Sequence, residues 1–286
     1  MESEKLGFYP GCTLEGSSSG YAESMLKVFE LLKIPIKELD DWSCCGASSA
    51  HALDHELHLA LNLRNLSLAE KQDFKELLAP CAACYHRLIS TNNEFYLDNA
   101  LLASLNDQTG LNYQGKVKVR NILDFLIHQV GIEKIEKQVS HSLSSLKFAC
   151  YYGCLNTRIP RLLPFDKVEY PEGMDQIIKA LGAETVEWSY KTECCGAGLG
   201  VTAEEISNKL VSKILLDASA KEVDCIVVAC PMCHVNLDTR QDKIIQQFDI
   251  PKEIPIYYIT QIMGLAFGIE EQFLGIKQNF MPALQI

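Results

Sequence analysis

Five cysteines recur twice, in the same order, along the 286-residue chain, and no other feature restricts its folding so tightly. The first set is Cys12, the adjacent pair Cys44-Cys45 followed by Gly46, and Cys81-x-x-Cys84. The second is Cys154, the pair Cys194-Cys195 followed by Gly196, and Cys230-x-x-Cys233. Corresponding landmarks are offset by roughly 140–150 residues, the signature of an internal duplication. Any fold that serves this scheme must bring three distant stretches together, and must do so twice.

The pattern between the cysteines shows how. KLGFYP reads as a strand that ends at Gly11-Cys12, and the helix after it places Tyr21, Met25, Val28, Phe29 and Leu32 on one face. A long helix spans about Asp54–Lys71, FKELLAP leads to Cys81, another helix covers about Ala83–Asn92, and VKV (117–119) precedes a helix ending at Gly131. The second half repeats the order: LKFACYYGC, GMDQIIKALG, TVEWSYKTECCG, the helical run after Ala203, the apolar strand VDCIVVAC, and IYYITQIMGL. Between the halves EKIEKQVSHSLSS is polar and Ser-rich, so the boundary is placed there, giving domains 1–145 and 146–286. Alternating strands and helices predict α/β domains whose ligands gather at the carboxyl ends of the strands.

Composition narrows the chemistry. A net charge of −11 and no Lys/Arg cluster argue against a nucleic-acid surface. The N-terminus lacks the basic and apolar regions of a secretory signal, and no run of about 18 apolar residues reads as a transmembrane segment. Twelve cysteines without an export signal read as metal ligands or redox groups in a cytoplasmic protein. Thiolates bind either zinc or iron–sulfur clusters. Neighbours such as Cys44 and Cys45 point their side chains apart, which suits two metal atoms better than one tetrahedral ion. Five thiolates per set also exceed what zinc or a four-iron cube uses, which leaves either a spare cysteine or a larger, more open centre; its occurrence in both sets favours the latter. Gly11, Gly46, Gly153, Gly196 and Gly198 would let backbone approach such a centre and aim N–H groups at its sulfurs, although glycine also marks plain turns.

The duplicated Cys…CysCysGly…Cys-x-x-Cys arrangement resembles the cysteine-rich (CCG) domain of the heterodisulfide reductase B-subunit family, over nearly the whole chain. The resemblance implies two pseudo-symmetric, Rossmann-like domains, each binding a non-cubane 4Fe-4S cluster through five cysteines: Cys12, Cys44, Cys45, Cys81 and Cys84 in one, Cys154, Cys194, Cys195, Cys230 and Cys233 in the other. It implies cleavage of a disulfide between the clusters, the mixed disulfide of coenzyme M and coenzyme B or an analogue, each cluster delivering one electron. It also implies partners: a ferredoxin-like iron–sulfur subunit and a flavin subunit of the same complex, with any membrane association peripheral and through them. The chain has no Gly-x-Gly-x-x-Gly element after a strand, so its electrons come from elsewhere. CCG domains also occur in succinate:quinone-type and other flavin dehydrogenase complexes, so a quinone-linked electron relay is the alternative.

Other residues carry weaker signals. His86 and His234 follow the Cys-x-x-Cys motifs and are candidates to protonate a departing thiolate, against the plainer reading of helix-start histidines. His51, His55 and His58 read equally as a solvated helix face. Cys225 and Cys150 read as buried small residues on strands. Tyr9, Tyr151 and Tyr152 would shield the clusters or simply pack. The apolar stretch 259–286 is expected to pack across the second domain, with docking on a partner subunit or a membrane surface as the alternative.

Overall fold

The structure, a computed structural model, describes residues 6–47, 50–158 and 165–284. Its described residues form two four-stranded parallel sheets of the same topology. β1 (Leu6–Phe8), β2 (Ile36–Glu38), β3 (Glu76–Leu78) and β4 (Lys118–Arg120) lie in the order β2-β1-β3-β4. β5 (Lys147–Tyr151), β6 (Glu184–Thr185), β7 (Cys225–Val228) and β8 (Ile256–Tyr258) lie in the order β6-β5-β7-β8. Leu6 sits opposite both Ile36 and Glu76, and Phe148 opposite both Thr185 and Cys225. In each sheet the chain leaves the first strand to one side and returns on the other. Strand order therefore reverses between β1 and β3 and between β5 and β7, the crevice where open α/β sheets bind ligands.

The helices follow from their apolar periods. Helix Ser19–Leu31 buries Tyr21, Met25, Val28 and Phe29, each worth about 1.5–3 kcal/mol of transfer from water for a full side chain. Helix His55–Lys71 starts where Asp54 accepts the Leu57 N–H at 2.8 Å. Its counterpart Glu204–Ala220 buries Val211, Ile214 and Leu215. The stretch before Gly131 divides into a helix, Ile122–Phe125, and a π-helical turn, Leu126–Val130, before Gly131 adopts φ +85°.

Three details depart from the sequence reading. Helix Asn99–Thr109 carries too few buried residues for its period to stand out; Asp98 fixes its start by accepting the Ala100 and Leu101 N–H groups at 3.0 Å. The polar boundary stretch opens as a helix, Ile132–Gln138, anchored by buried Ile135. The C-terminal stretch does not confine itself to the second half. Helix Ile259–Ala266 packs on Ser19–Leu31, where the Ser24 and Thr260 hydroxyls share a buried hydrogen bond of 2.7 Å. Gln278 accepts the Gly20 N–H at 2.9 Å, and a Cβ on Gly20 would meet the Gly275 carbonyl oxygen at 2.8 Å. Among the described residues no helix is long and apolar enough to cross a membrane.

Candidate metal centre

All ten repeated cysteines lie just past the carboxyl ends of three adjacent strands in each sheet. In the first half β1 delivers Cys12, β2 the Cys44-Cys45 loop, and β3 Cys81, which caps helix Ala82–Leu97 and sets Cys84 in its first turn. The loop is tied down through its backbone. The Tyr9 hydroxyl donates to the Ser43 carbonyl at 2.7 Å, and Asn65 both accepts the Ser43 N–H at 2.8 Å and donates to its carbonyl at 2.9 Å. Asn62 donates to the Cys45 carbonyl at 3.2 Å, and the Gly46 N–H points at the Cys44 sulfur at 3.4 Å.

The second half rebuilds this arrangement with partly different parts. Tyr151 donates to the Glu193 carbonyl at 2.6 Å, the residue just before Cys194, as Ser43 stands just before Cys44. The Gly196 N–H points at the Cys194 sulfur at 3.3 Å. Support for Cys195 comes from another helix: Asn236, on Pro231–Asp238, donates to its carbonyl at 2.7 Å and is itself held by Arg240 at 2.6 Å.

The sulfurs are crowded. Cys45 and Cys84 lie 3.4 Å apart, Cys195 and Cys233 3.6 Å. Neighbouring thiols also push one another's pKa values up: Cys45 raises Cys44, Cys81 raises Cys84, Cys230 raises Cys233, and Cys230 of the second half raises Cys81 of the first. Cys154 and Cys194 form a separate pair. The Cys154 thiol and then the Gly196 N–H hold Cys194 down to about 6, while contact with Cys194 pushes Cys154 up. Cys45 is likewise pulled down, first by Cys44 and then by Cys84. Such thiols ionise readily in part, the state in which they bind metals. Cys12, Cys44 and Cys194 are exposed and Cys154 is half-buried, whereas Cys45, Cys81, Cys84, Cys195, Cys230 and Cys233 are buried. A cavity of about 350 Å³ bordered by Ser189, Tyr190, Glu193 and Lys213 opens on Cys194. Four others, of about 170 to 490 Å³, are bordered by no cysteine among the described residues. Among the described residues no three His, Cys, Asp or Glu side chains are grouped to hold a single metal ion.

The glycines divide by function. Gly11 and Gly153 take φ of +65° and +66°, and a Cβ on either would meet the Cys84 or Cys233 sulfur at 2.8 or 3.1 Å. Gly46 and Gly196 also have positive φ, but a Cβ there would strike Ala50 or Leu210; their tight side faces a helix, and only their N–H groups reach sulfur. Among the described residues nothing lies within 4 Å of a Cβ on Gly198.

His234 is buried, places Nε2 3.0 Å from the Ile256 carbonyl and stacks on Tyr258, and burial lowers its pKa to about 4. Tyr258 stacks in turn on Tyr21 from the first half, with ring centroids 4.2 Å apart. His86 is half-buried with Nε2 3.3 Å from the Arg158 carbonyl of the other half; burial and then Arg87 lower its pKa. Cys150 and Cys225 are buried on β5 and β7, and burial raises both thiols. Tyr152 is buried and hydrogen-bonded to Asp175 at 2.8 Å. Sequence reasoning missed that Asp175, its partner Lys191 at 2.9 Å, and the Asn62 and Asn236 supports. Lys191 stands three residues before Cys194 and is 3% exposed, but no local pattern marks a buried ion pair.

Comparison with known proteins agrees with this arrangement. The cysteine-rich CCG domain family matches twice, over residues 6–89 and 148–238. The chain is 32% identical over 286 residues to the 8-methylmenaquinol:fumarate reductase membrane anchor subunit of Wolinella succinogenes, covering 99% of each chain. It is 33% identical over 288 residues to the B subunit of the ferredoxin/F(420)H(2)-dependent CoB-CoM heterodisulfide reductase of Methanosarcina acetivorans, covering 98% of this chain and 95% of that one. A crystal structure of a hypothetical protein from Helicobacter pylori superposes with a TM-score of 0.77 at 11% identity; it covers 99% of this chain, which spans 53% of that protein, and speaks for the fold alone. Two CCG copies carry all ten cysteines, and a third of the residues are identical, end to end, to those of the methanogen polypeptide; the chain belongs to the heterodisulfide reductase B-subunit family.

Proposed function

We propose that this chain is the disulfide-reducing subunit of a larger electron-transfer complex, holding two non-cubane 4Fe-4S clusters in Rossmann-like halves 1–145 and 146–286. Cys12, Cys44, Cys45, Cys81 and Cys84 would hold the first, and Cys154, Cys194, Cys195, Cys230 and Cys233 the second. The donor set fits. It is all thiol, each half offers five, and Gly11 and Gly153 leave backbone against the sulfurs where any side chain would intrude. When bound, such clusters supply electrons one at a time.

The observation that supports the proposal is the closeness of the two nests: the Tyr21 hydroxyl of the first half donates to the Ala229 carbonyl, just before Cys230, at 3.2 Å, and Cys230 is the first cause that pushes the Cys81 thiol up. Breaking one S–S bond consumes two electrons and two protons and releases two thiols, so two one-electron sources must serve one molecule. Thiol nests close enough to shift one another's titration across the boundary fit that requirement. Exposed Cys12, Cys44 and Cys194 leave each nest open to a small molecule. Tyr9, Tyr151, Asn62, Asn65 and Asn236 fix the paired-cysteine loops by their carbonyls, leaving the sulfurs free. Of the two histidines, His86 is the less buried and the one placed to pass a proton, which its lowered pKa would make it give up readily. His234 is buried against Tyr258 and engaged with Ile256, and serves packing. The electrons would come from a ferredoxin-like iron–sulfur subunit with a flavin subunit behind it, in the cytoplasm or peripherally at the membrane.

Anaerobically purified protein should carry about eight iron atoms and matching acid-labile sulfide per chain. The reduced complex titrated with the coenzyme M–coenzyme B disulfide should then develop cluster-based paramagnetic signals. Zinc in place of iron, or a spectrum indifferent to the disulfide, would end the proposal. Similarity to the Wolinella polypeptide over 99% of both chains favours a second reading, a quinone-linked relay. Signals that answer to a menaquinol analogue and ignore the disulfide would establish it.

A further inference from the structure

We infer that a cavity beside the first thiol nest is an oxyanion-binding site, taking the acid-bearing arm of the molecule on which this half acts. The cavity, of about 360 Å³, is lined by His51, His55, His58 and Arg87, a local concentration of basic groups in a chain of net charge −11. Arg87 Nε is buried without a hydrogen-bond partner, and the negative group that offsets its desolvation is Cys45, not a carboxylate. Asn93, 8% exposed and on the same wall, has an amide nitrogen equally without an acceptor. Buried donors left unpaired are rare and carry a desolvation penalty; both belong to residues that line this cavity, Asn93 also bordering a second one of about 490 Å³, and a ligand that accepts hydrogen bonds would satisfy them. Glu94, the only acid lining the cavity among the described residues, already contacts His55 at 3.0 Å.

Two further observations direct the inference toward an anion and toward the reacting molecule. Among the described residues no three His, Cys, Asp or Glu side chains, these histidines included, are grouped to hold a metal ion. Both His58 and Arg87 lie within electrostatic reach of Cys45, so an anion held here sits beside the first nest. The duplication does not repeat the feature. At the same steps past the second paired cysteines stand Val201, Glu205 and Asn208, and at the same step past the second Cys-x-x-Cys stands Asn236. The cysteines are kept in both halves while the basic wall exists in one, as expected if the two ends of the bound molecule differ in charge. The identity of that molecule rests on the disulfide-reducing proposal; the binding of an anion does not.

Calorimetric titration of the iron-loaded protein with inorganic phosphate, sulfate and ethanesulfonate, anaerobically at low ionic strength, tests it. Saturable binding is expected, weakened on the order of tenfold or more in Arg87→Gln and in Asn93→Ala and partly restored in Arg87→Lys. Iron content and urea midpoint are measured for each variant, and if Arg87→Gln loses iron, Asn93→Ala decides. No saturable binding, or binding that stays within about twofold of wild type in the decisive variants, overturns the site. Phosphate should be displaced by a disulfide with a carboxylate or sulfonate arm and not by a neutral one; equal displacement by both overturns its assignment to the substrate. Anion binding that persists while no disulfide is reduced would remove the parent proposal and leave the site.

Discussion

Gly11→Ala separates the cost of a backbone conformation from the cost of intruding on a sulfur. Gly11 and Gly110 adopt nearly the same left-handed angle, φ +65° and +68°, but a Cβ on Gly11 meets the Cys84 sulfur at 2.8 Å while one on Gly110 meets nothing among the described residues within 4 Å. Alanine in the left-handed region costs roughly 1–2 kcal/mol at either place. At Gly11 an overpacking term of roughly 1–3 kcal/mol adds to it, because Cys84 is buried against Cys45 and has little room to retreat. The Gly11→Ala chain should therefore be less stable than Gly110→Ala by roughly 1–3 kcal/mol in urea unfolding. It should also lose iron from the first half while Gly110→Ala keeps its full content. Matching urea midpoints and iron contents in the two variants would refute the idea that Gly11 is there to make room for the nest.

Two other perturbations test the framework. Burial raises the pKa of Asp238 from 3.8 to about 6, so its native form binds the proton more tightly than its unfolded form. The stability it contributes is full below pH 4 and declines by roughly 3 kcal/mol as pH rises through 6, so this falling component should vanish from the pH profile of the urea midpoint in Asp238→Asn. Ser24→Ala strands the buried Thr260 hydroxyl at the junction of the halves and should cost roughly 1–3 kcal/mol, whereas Ser24→Ala with Thr260→Val should recover most of that; a double variant no better than the single would refute the pairing.

The candidate site was legible in the sequence because its cysteines follow strands, and strands declare themselves locally. VDCIVV predicts β7 and so fixes where Cys230 emerges; the period of Tyr21, Met25, Val28 and Phe29 predicts the helix that carries them. What could not be read were partnerships between distant residues. Asn62 and Asn236 do the same work from non-equivalent positions, so comparing the halves conceals them. Lys191 looks like a surface lysine until Asp175 is placed beside it. The closeness of Cys81 to Cys230 follows from how the two halves are set against each other, through Tyr21, Tyr258 and the C-terminal stretch rather than through any motif. Gly46 and Gly196 show the converse: the CysCysGly signature is plain, but the reason for its glycine, a helix pressed against it, is tertiary.

The stretch around Gly275 acts as a clasp. Because Gly275 rests directly on Gly20 and Gln278 reaches across to Ser19, polypeptide made 259 residues later locks onto an early helix. A nascent chain would thus own every sulfur well before these two segments are latched. A chain cut short before Gly275 would keep all ten repeated cysteines and lose this latch between its halves.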